Sequence, residues 1–562
     1  MKLCAALRRT AAEPSPFRHS LSSSRWSLIF CCLAAAALLQ PARAATTPDR
    51  QFDVVVYGAT PAGVCASIAA SREGATVCLL DPLELVGGMM SSGLSFSDSN
   101  QMARECLLGL FEEFHQNVEQ VYAAKGVALP YRVSVKDQAH WTYEPHVAEG
   151  VFLEMLREAS VELFLGHGLD SVEMEGVRIS GLRSRCDLAV KGRIFIDASY
   201  EGDLAAAAGV TCRIGREGPD AYGESLAGHR YPKAAVPISP WLEPGVLLPL
   251  MTGEHGGDAS GGDRKTMAYS FRLCLTDDPQ RRIPIAKPTD YDPAQFELLR
   301  RYFAAFPKTQ FPIDLYPIPR DKVDANNGIA KQISLAMVGA GWEWPTASLQ
   351  QREEIWRRHR SYHEGLLWFL TNDPAVPQGI RKDAGSYGLS RDEFIRFGHW
   401  PPVLYIREAR RMVGLHVLTQ DDVLTNVSKP DAIAVASFPI DSHDCQRIPT
   451  EDGTGFINEG TIFPSHLPGR AIGRPYQIPY RAIVPTSREC DNLLVPVCLS
   501  ATHVAFSSVR VEPTWMTLGQ SSGIAAALAA QGDLAVQSLD YAVLQMRLST
   551  QNVALDLPQL TE

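Results

Sequence analysis

The segment VVVYGATPAGVCASIAASREGATVCLLD, residues 54–81, constrains the fold more than any other stretch of the chain. A β-branched run, a glycine, an alanine-rich run and a second apolar run ending at Asp81 predict strand, tight turn, helix and strand. That order opens an α/β domain. The turn is spaced like the dinucleotide fingerprint G-x-G-x-x-G, with Thr60 at the second glycine position. Three readings follow: a damaged fingerprint, a variant that still binds a nucleotide, or an ordinary βαβ unit.

Local chemistry supports a working turn. Gly58 can turn the chain sharply after the strand, Gly63 lets the helix pack tightly on the sheet, and Ala62, Ala66 and Ala69 keep the nearby helix surface small. Thr60 is a preferred N-cap and Pro61 suits the first helical position, so the pair starts the helix cleanly. The free N–H groups and dipole of a helix start favour an anion, and the Thr60 hydroxyl could add a donor to a phosphate. Against this, the Thr60 Cβ lies close to where a pyrophosphate would pass.

Further segments bear on the choice. Asp81, 23 residues after Gly58, ends the second strand, where a carboxylate accepts hydrogen bonds from ribose hydroxyls; a solvated turn Asp before Pro82 is the plain alternative. Gly87-Gly88-Met89 would let backbone approach a pyrophosphate from the other side, or is a simple loop. In IDASYEGDLAAAAGV, residues 196–210, a strand ends at Asp197-Ala198 beside a nucleotide site, and a helix begins near Glu201; Glu201 and Asp203 equally suit a helix dipole. Residues 500–529, SATHVAFSSVRVEPTWMTLGQSSGIAAALA, carry a helix that Pro513 opens and Gly532 ends. Its start could stabilise an anionic reduced flavin ring, with Gly519 and Gly523 allowing close approach; a packed core helix is the alternative.

Length and charge set the frame. With 562 residues the chain exceeds one ordinary core, so two domains are expected, one inserted in the other. Arg8, Arg9, Arg18 and Arg25 precede an apolar run from Leu28 to Leu39, and Ala42-Arg43-Ala44 supplies a small-x-small cleavage pattern, so residues 1–44 read as a secretory signal with Ala45 as the mature start. Twelve apolar residues are too few to span a bilayer, and no stable membrane span is expected after cleavage. Removing that segment shifts the formal net charge from -10 to -15, because six basic residues and Glu13 leave with it. Nucleic acid is thereby excluded as a partner, since phosphate binding needs a basic surface. Nine of twelve cysteines remain, without a C-x-x-C, which argues against a dithiol centre or a metal site; Cys490 and Cys498 are a conceivable disulfide pair. Strand-like segments at 161–165, 181–186 and 192–198 and a helix at 147–159 complete the first half of a nucleotide domain, while 215–465 is rich in proline and aromatic residues. The expected division is 45–214 and 466–562 for one domain, discontinuous in sequence, with 215–465 as an inserted α+β substrate or cap domain.

Taken in order, GATPAG, LLDPLELVGGMMSSGL, FIDASYEGDLAAAAGV, PPVLYIREARRMVG, PIDSHD, YQIPYRAIVP and NLLVPVCLSATHVAFSSVRVEPTWMTLGQSSG resemble the bacterial FAD-dependent oxidoreductase family, over residues 52–530. Some members of that family carry the label xanthan lyase. The T-P-A-G form is usual there, which makes Thr60 a variant, and the sequence departs from the family at Ser91-Ser92 and Ser95-Phe96-Ser97. The resemblance implies a Rossmann-like FAD-binding domain in an α/β fold, with FAD held by Gly58, Thr60, Pro61, Ala62, Gly63, Asp81, Gly87, Gly88, Met89, Ala198, Gly519 and Gly523. The flavin would accept a hydride or electrons from a small-molecule substrate, with the electron acceptor left unspecified by the sequence. His443 and His503 are candidate proton acceptors, Arg510 could orient an anionic group, and Glu512 could pair with it or accept a proton; a structural hydrogen-bond network among the four is the alternative. The expected protein is a periplasmic or secreted FAD-dependent oxidoreductase that oxidises a polar small organic compound, such as a sugar derivative. A polysaccharide lyase or carbohydrate-binding protein is the competing class, and an NAD-linked dehydrogenase a third.

Overall fold

A computed structural model describes residues 50–135, 140–232, 234–253, 261–328, 331–425, 427–463, 465–468 and 470–559. The signal segment and its cleavage site lie outside the described residues. Strand β1 (Arg50–Tyr57) passes through Gly58 into helix α1 (Pro61–Arg72), and β2 (Val77–Asp81) returns parallel to β1 with Val54 opposite Val77. Helices α2 (Gly109–Ala124) and α3 (Pro145–Glu158) lead to β3 (Glu162–Leu165), parallel to β2. Then β4 (Leu169–Glu175), β5 (Arg178–Ser184) and β6 (Ala189–Asp197) form an antiparallel meander, whose last strand lies parallel beside β1. Residues 54–56 and 77–80 are buried, as expected for parallel strands covered on both faces.

The sheet is completed from the far end of the chain. The first half of β6 is bonded to β5, and its second half takes Leu493–Leu494 as a parallel neighbour, Leu493 opposite Phe195. The helix Glu512–Gly532 then packs on α1, with every residue from Glu512 to Ala527 buried. It begins one residue before Pro513 and ends at Gly532, followed by Asp533 in the left-handed region. The helix expected near Glu201 is the short α4 (Asp203–Ala207), started by a left-handed Gly202.

Residues between these halves carry a second, five-stranded antiparallel sheet in the order Arg282–Ile283, Gly388–Ser390, Leu273–Thr276, Lys322–Asn327, Ile313–Ile318. The helix Leu349–Asn372, opened by a Ser348–Gln351 capping box, accompanies it. One hydrophobic core runs from Val54 and Ile196 in the first sheet to Leu273 and Ala325 in the second. Asp324 ties the two regions together, since its carboxylate accepts the N–H groups of Ser95 and Phe96 while pairing with Arg272. All nine cysteines among the described residues are free; Cys490 and Cys498 are both buried thiols, not a disulfide. Among the described residues no helix is long and apolar enough to cross a membrane.

Candidate active site

The turn after β1 is built for close approach. Gly58 lies at φ +103°, and a Cβ there would stand 2.6 Å from the Ser199 amide nitrogen and 2.7 Å from the Ala198 carbonyl carbon. A side chain at Gly63 would meet the Gly58 carbonyl oxygen at 1.9 Å, so α1 starts directly on the turn. Thr60 caps this helix: its Oγ1 accepts the Gly63 N–H at 3.2 Å and donates to the Ala198 carbonyl at 2.8 Å. The single hydroxyl proton therefore ties the turn to the end of β6. Pro61 has no N–H and Gly63 is capped, which leaves Ala62 as the first-turn amide that helix geometry cannot satisfy.

Asp81 closes the other side. One carboxylate oxygen accepts the Ala59 N–H at 2.6 Å and the other the Leu83 N–H at 2.7 Å. A carboxylate offers about four acceptor sites, so it retains capacity for further donors. Burial raises its pKa to about 7, and the two N–H bonds oppose the shift. Farther out, Asp203 is held by Arg352 and Arg410, while Glu201 accepts from the Trp344 indole at 3.1 Å.

Gly87 and Gly88 both lie at positive φ, +92° and +46°. At Gly88 a Cβ would sit 2.4 Å from the Tyr200 hydroxyl, which accepts the Met89 N–H at 3.0 Å and donates to Glu512 at 2.6 Å. Tyr200 thus joins the glycine pair to the first turn of the helix Glu512–Gly532, a role its sequence surroundings of small residues did not signal. Burial pushes the Glu512 carboxyl up to about 8. Around this junction several buried polar atoms have no partner: Ser91 Oγ, Ser95 Oγ, Glu512 Oε2, Thr514 Oγ1 and Trp515 Nε1. Such a concentration calls for a ligand or another explanation. Gly519 and Gly523 face elsewhere: Cβ atoms there would lie 2.1 Å from the carbonyl oxygens of Ala62 and Ala66, so both serve the crossing with α1.

Immediately before that helix, Arg510 and Val511 line a polar cavity of about 130 Å³ that residues of the second sheet also border. Arg272, Arg407, Asn327, Asp98, Asp441 and His443 also face it. Sequence reasoning singled out Arg510 and His443 but missed the other five, although Arg407 and Asp441 stand in the PPVLYIREARRMVG and PIDSHD segments. Arg407 donates to the carbonyl of Ala268, to Ser270 Oγ and to Asn327 Oδ1 at 2.5 Å, and its guanidinium lies 4.4 Å from the Tyr405 ring centre. With Oδ1 so engaged, the Asn327 amide group faces His443 Nδ1 at 3.3 Å as a donor. The His443 proton then resides on Nε2. Burial, followed by Arg407, Arg510 and Arg272, holds the His443 pKa well below its ordinary value, so the ring is neutral.

The four catalytic candidates separate. Arg510 donates to the Asp441 carbonyl at 2.6 Å and does not pair with Glu512, whose partner is Tyr200. His503 belongs to another buried network, 3.0 Å from Glu408, which also pairs with Arg411. A single network linking all four is therefore absent among the bonds of the described residues, because Arg510 and Glu512, two residues apart, bond to different partners.

Known structures share limited portions of this chain. A 3-ketosteroid-Δ4-(5α)-dehydrogenase of Rhodococcus jostii RHA1 is 16% identical over 30% of this chain and 50% of its own, with a TM-score of 0.20. THI4 of Thermovibrio ammonificans is 18% identical over 30% and 66%, with a TM-score of 0.22. The L-amino acid deaminase of Proteus vulgaris is 15% identical over 34% and 55%, with a TM-score of 0.23. The chain thus spans about half to two thirds of the length of these proteins, and nothing further rests on them. No curated protein matches the sequence. The family model of the FAD dependent oxidoreductases, in contrast, matches residues 53–548, almost the whole described chain, including the turn after β1, the glycine pair and the helix that meets them. The protein belongs to the FAD-dependent oxidoreductase family, and its cofactor is FAD.

Proposed function

We propose that this enzyme is exported and oxidises a polar small organic molecule, a sugar derivative being the favoured class, bound in the cavity beside Arg510. The observation that carries the reading is continuity: Val511 lines the cavity, and the next residue, Glu512, is bonded to Tyr200 and through it to the glycine pair. A polar substrate there would lie next to the elements that hold the cofactor.

The residues fit FAD. The Ala62 amide and the positive end of α1 suit the phosphates, the remaining acceptor capacity of Asp81 suits a ribose, and the unpartnered Ser91, Thr514 and Trp515 groups suit a polar ring edge. When bound, FAD supplies the two-electron acceptor. This chain's residues have the remaining tasks of binding, orientation and proton handling. His443 presents a neutral ring whose Nε2–H donates, and Asp441, pushed by burial to about 6, presents an unpartnered oxygen that can take a proton. The proton acceptor role expected of His443 passes on this reading to Asp441. His503, tied to Glu408, keeps a structural role. The arginine-rich segment, apolar run and Ala-Arg-Ala pattern before Ala45 support export to the periplasm or medium.

The test is anaerobic: the purified mature protein is mixed with panels of neutral sugars, sugar acids, amines and alcohols while its flavin absorbance is followed. Bleaching by polar compounds of one class, lost in Asp441→Asn without loss of bound flavin, is the expected result. A flavin that no polar compound reduces, or that only apolar compounds reduce, would refute the assignment.

A further inference from the structure

Arg407 differs from the buried cations that carry a carboxylate partner; Arg447, bonded only to Asn458 Oδ1 and the carbonyls of Leu250 and Gln332, shares that state but does not line the cavity. Arg407 is 1% exposed, yet its three hydrogen-bond acceptors are all neutral, a carbonyl, a hydroxyl and an amide oxygen. No described carboxylate forms an ion pair with it. Arg272, by comparison, is held by both oxygens of Asp324, and Arg411 by Glu217 and Glu408. A buried charge with only neutral acceptors is costly unless an opposite charge reaches it. Arg510, the second cavity cation, has its nearest carboxylate oxygen, on Asp441, only at 4.0 Å. The Nε atoms of both arginines are buried and without a partner, and so are Asp98 Oδ2 and Asp441 Oδ1. All four residues line the same cavity.

We infer that the cavity takes a small hydroxylated carboxylate, with its carboxylate on the Nε–H donors of Arg407 and Arg510 and its hydroxyls on the free oxygens of Asp98 and Asp441. This rests on the reading of the cavity as the substrate site and narrows it from a polar compound to an acid. Guanidinium donors favour carboxylates because charge-assisted N–H···O⁻ bonds are about twice as strong as neutral ones. A neutral polyol would satisfy the two aspartates but leave Arg407 uncompensated; an amine would add a cation to a cavity already lined by Arg272, Arg407 and Arg510. Tyr405 beneath the Arg407 guanidinium and Asn327 at its edge fix the plane of the donor, which suits a planar acceptor such as a carboxylate. The Asn327 contact extends the set, since it turns the His443 Nε2–H into a further donor. Burial and the flanking Arg510 and Arg272 draw the Arg407 pKa down, as befits a cation lacking a counter-ion.

The experiment uses the full mature holoenzyme and two readouts, thermal midpoint and perturbation of the flavin spectrum, with glycolate, D-gluconate, D-glucuronate, inorganic phosphate, D-glucose and D-glucosamine as probes. The hydroxy acids are expected to raise the midpoint and shift the spectrum at concentrations at least about tenfold below those at which glucose or glucosamine act. Arg407→Gln should weaken that response by a further order of magnitude or more, and Arg510→Gln provides a second variant should the first fail to fold. Equal response to glucose, response to glucosamine or phosphate alone, no response to any acid, or an unchanged response in a folded arginine variant would each overturn the inference. The readouts separate the two readings: a yellow protein indifferent to acids sinks this inference alone, whereas a colourless protein stabilised by hydroxy acids keeps it and sinks the redox assignment of the cavity.

Discussion

Glu512 is a carboxyl group that water does not reach, and its behaviour with pH follows from that. Burial raises its folded-state pKa to about 8, while an unfolded chain would titrate it near the ordinary value of about 4.3. Below that lower value both states hold the proton and its contribution to stability is intact. As pH rises toward 8 the unfolded state ionises first, binds fewer protons, and the folded state loses stability. Asp81, at about 7, acts in the same direction over a narrower window. Glu512→Gln keeps an acceptor for the Tyr200 hydroxyl and cannot ionise. It is expected to match the wild type in thermal midpoint at pH 4 and to exceed it at pH 9; parallel curves across that range would contradict the assignment. Tyr200→Phe removes a donor to Glu512 and an acceptor for Met89 N–H, and should cost about 1–3 kcal/mol in a denaturation experiment.

Between elements, the crossing of α1 with the helix Glu512–Gly532 is the contact most sensitive to volume. Ala in place of Gly519 or Gly523 puts a methyl carbon about on top of a backbone carbonyl oxygen, which cannot rotate away. Each variant is expected to lose about 1–3 kcal/mol of stability by overpacking, measured by chemical denaturation, and to bind FAD more weakly because the two helix starts separate. This crossing also shows where sequence reading reached its limit. The fingerprint, both of its strands and the C-terminal helix were legible because caps, glycines and apolar runs are local signals. The partner of Gly519 was not, because close approach to a flavin and close approach to a helix ask for the same small residue. Strand β4, LDSVEME, was missed because it is only partly buried and half its residues are acidic or polar. The five-stranded sheet was hidden in a stretch whose prolines and aromatics spoke of loops; its strands are two to six residues long.

At the scale of the whole molecule, residues distant in sequence build both halves of the site. Tyr200 reaches Met89 and Glu512 across 111 and 312 positions, and the cavity draws Asp98, Arg272, Asn327, Arg407, Asp441 and Arg510 from six separate segments. No spacing rule links such residues, so Arg407 and Asp98 stayed invisible while Arg510 and His443 were found only through motifs that resemble a family. The resemblance did identify the cofactor, since the matched region runs from the first strand to the last helix. What it left unassigned, the chemistry of the substrate, is where buried groups without partners are most informative. On the proposed reading the two ends of the chain meet to form one FAD site hinged on the turn at Gly58. The most direct measurement is the FAD released per chain from wild type and Gly58→Val after denaturation of the purified proteins. Stoichiometric FAD is expected in the wild type, with its loss in a folded Gly58→Val, whose branched side chain would collide with Ala198 and Ser199; a wild type that takes up no FAD, or a variant that keeps it in full, would rule this site out.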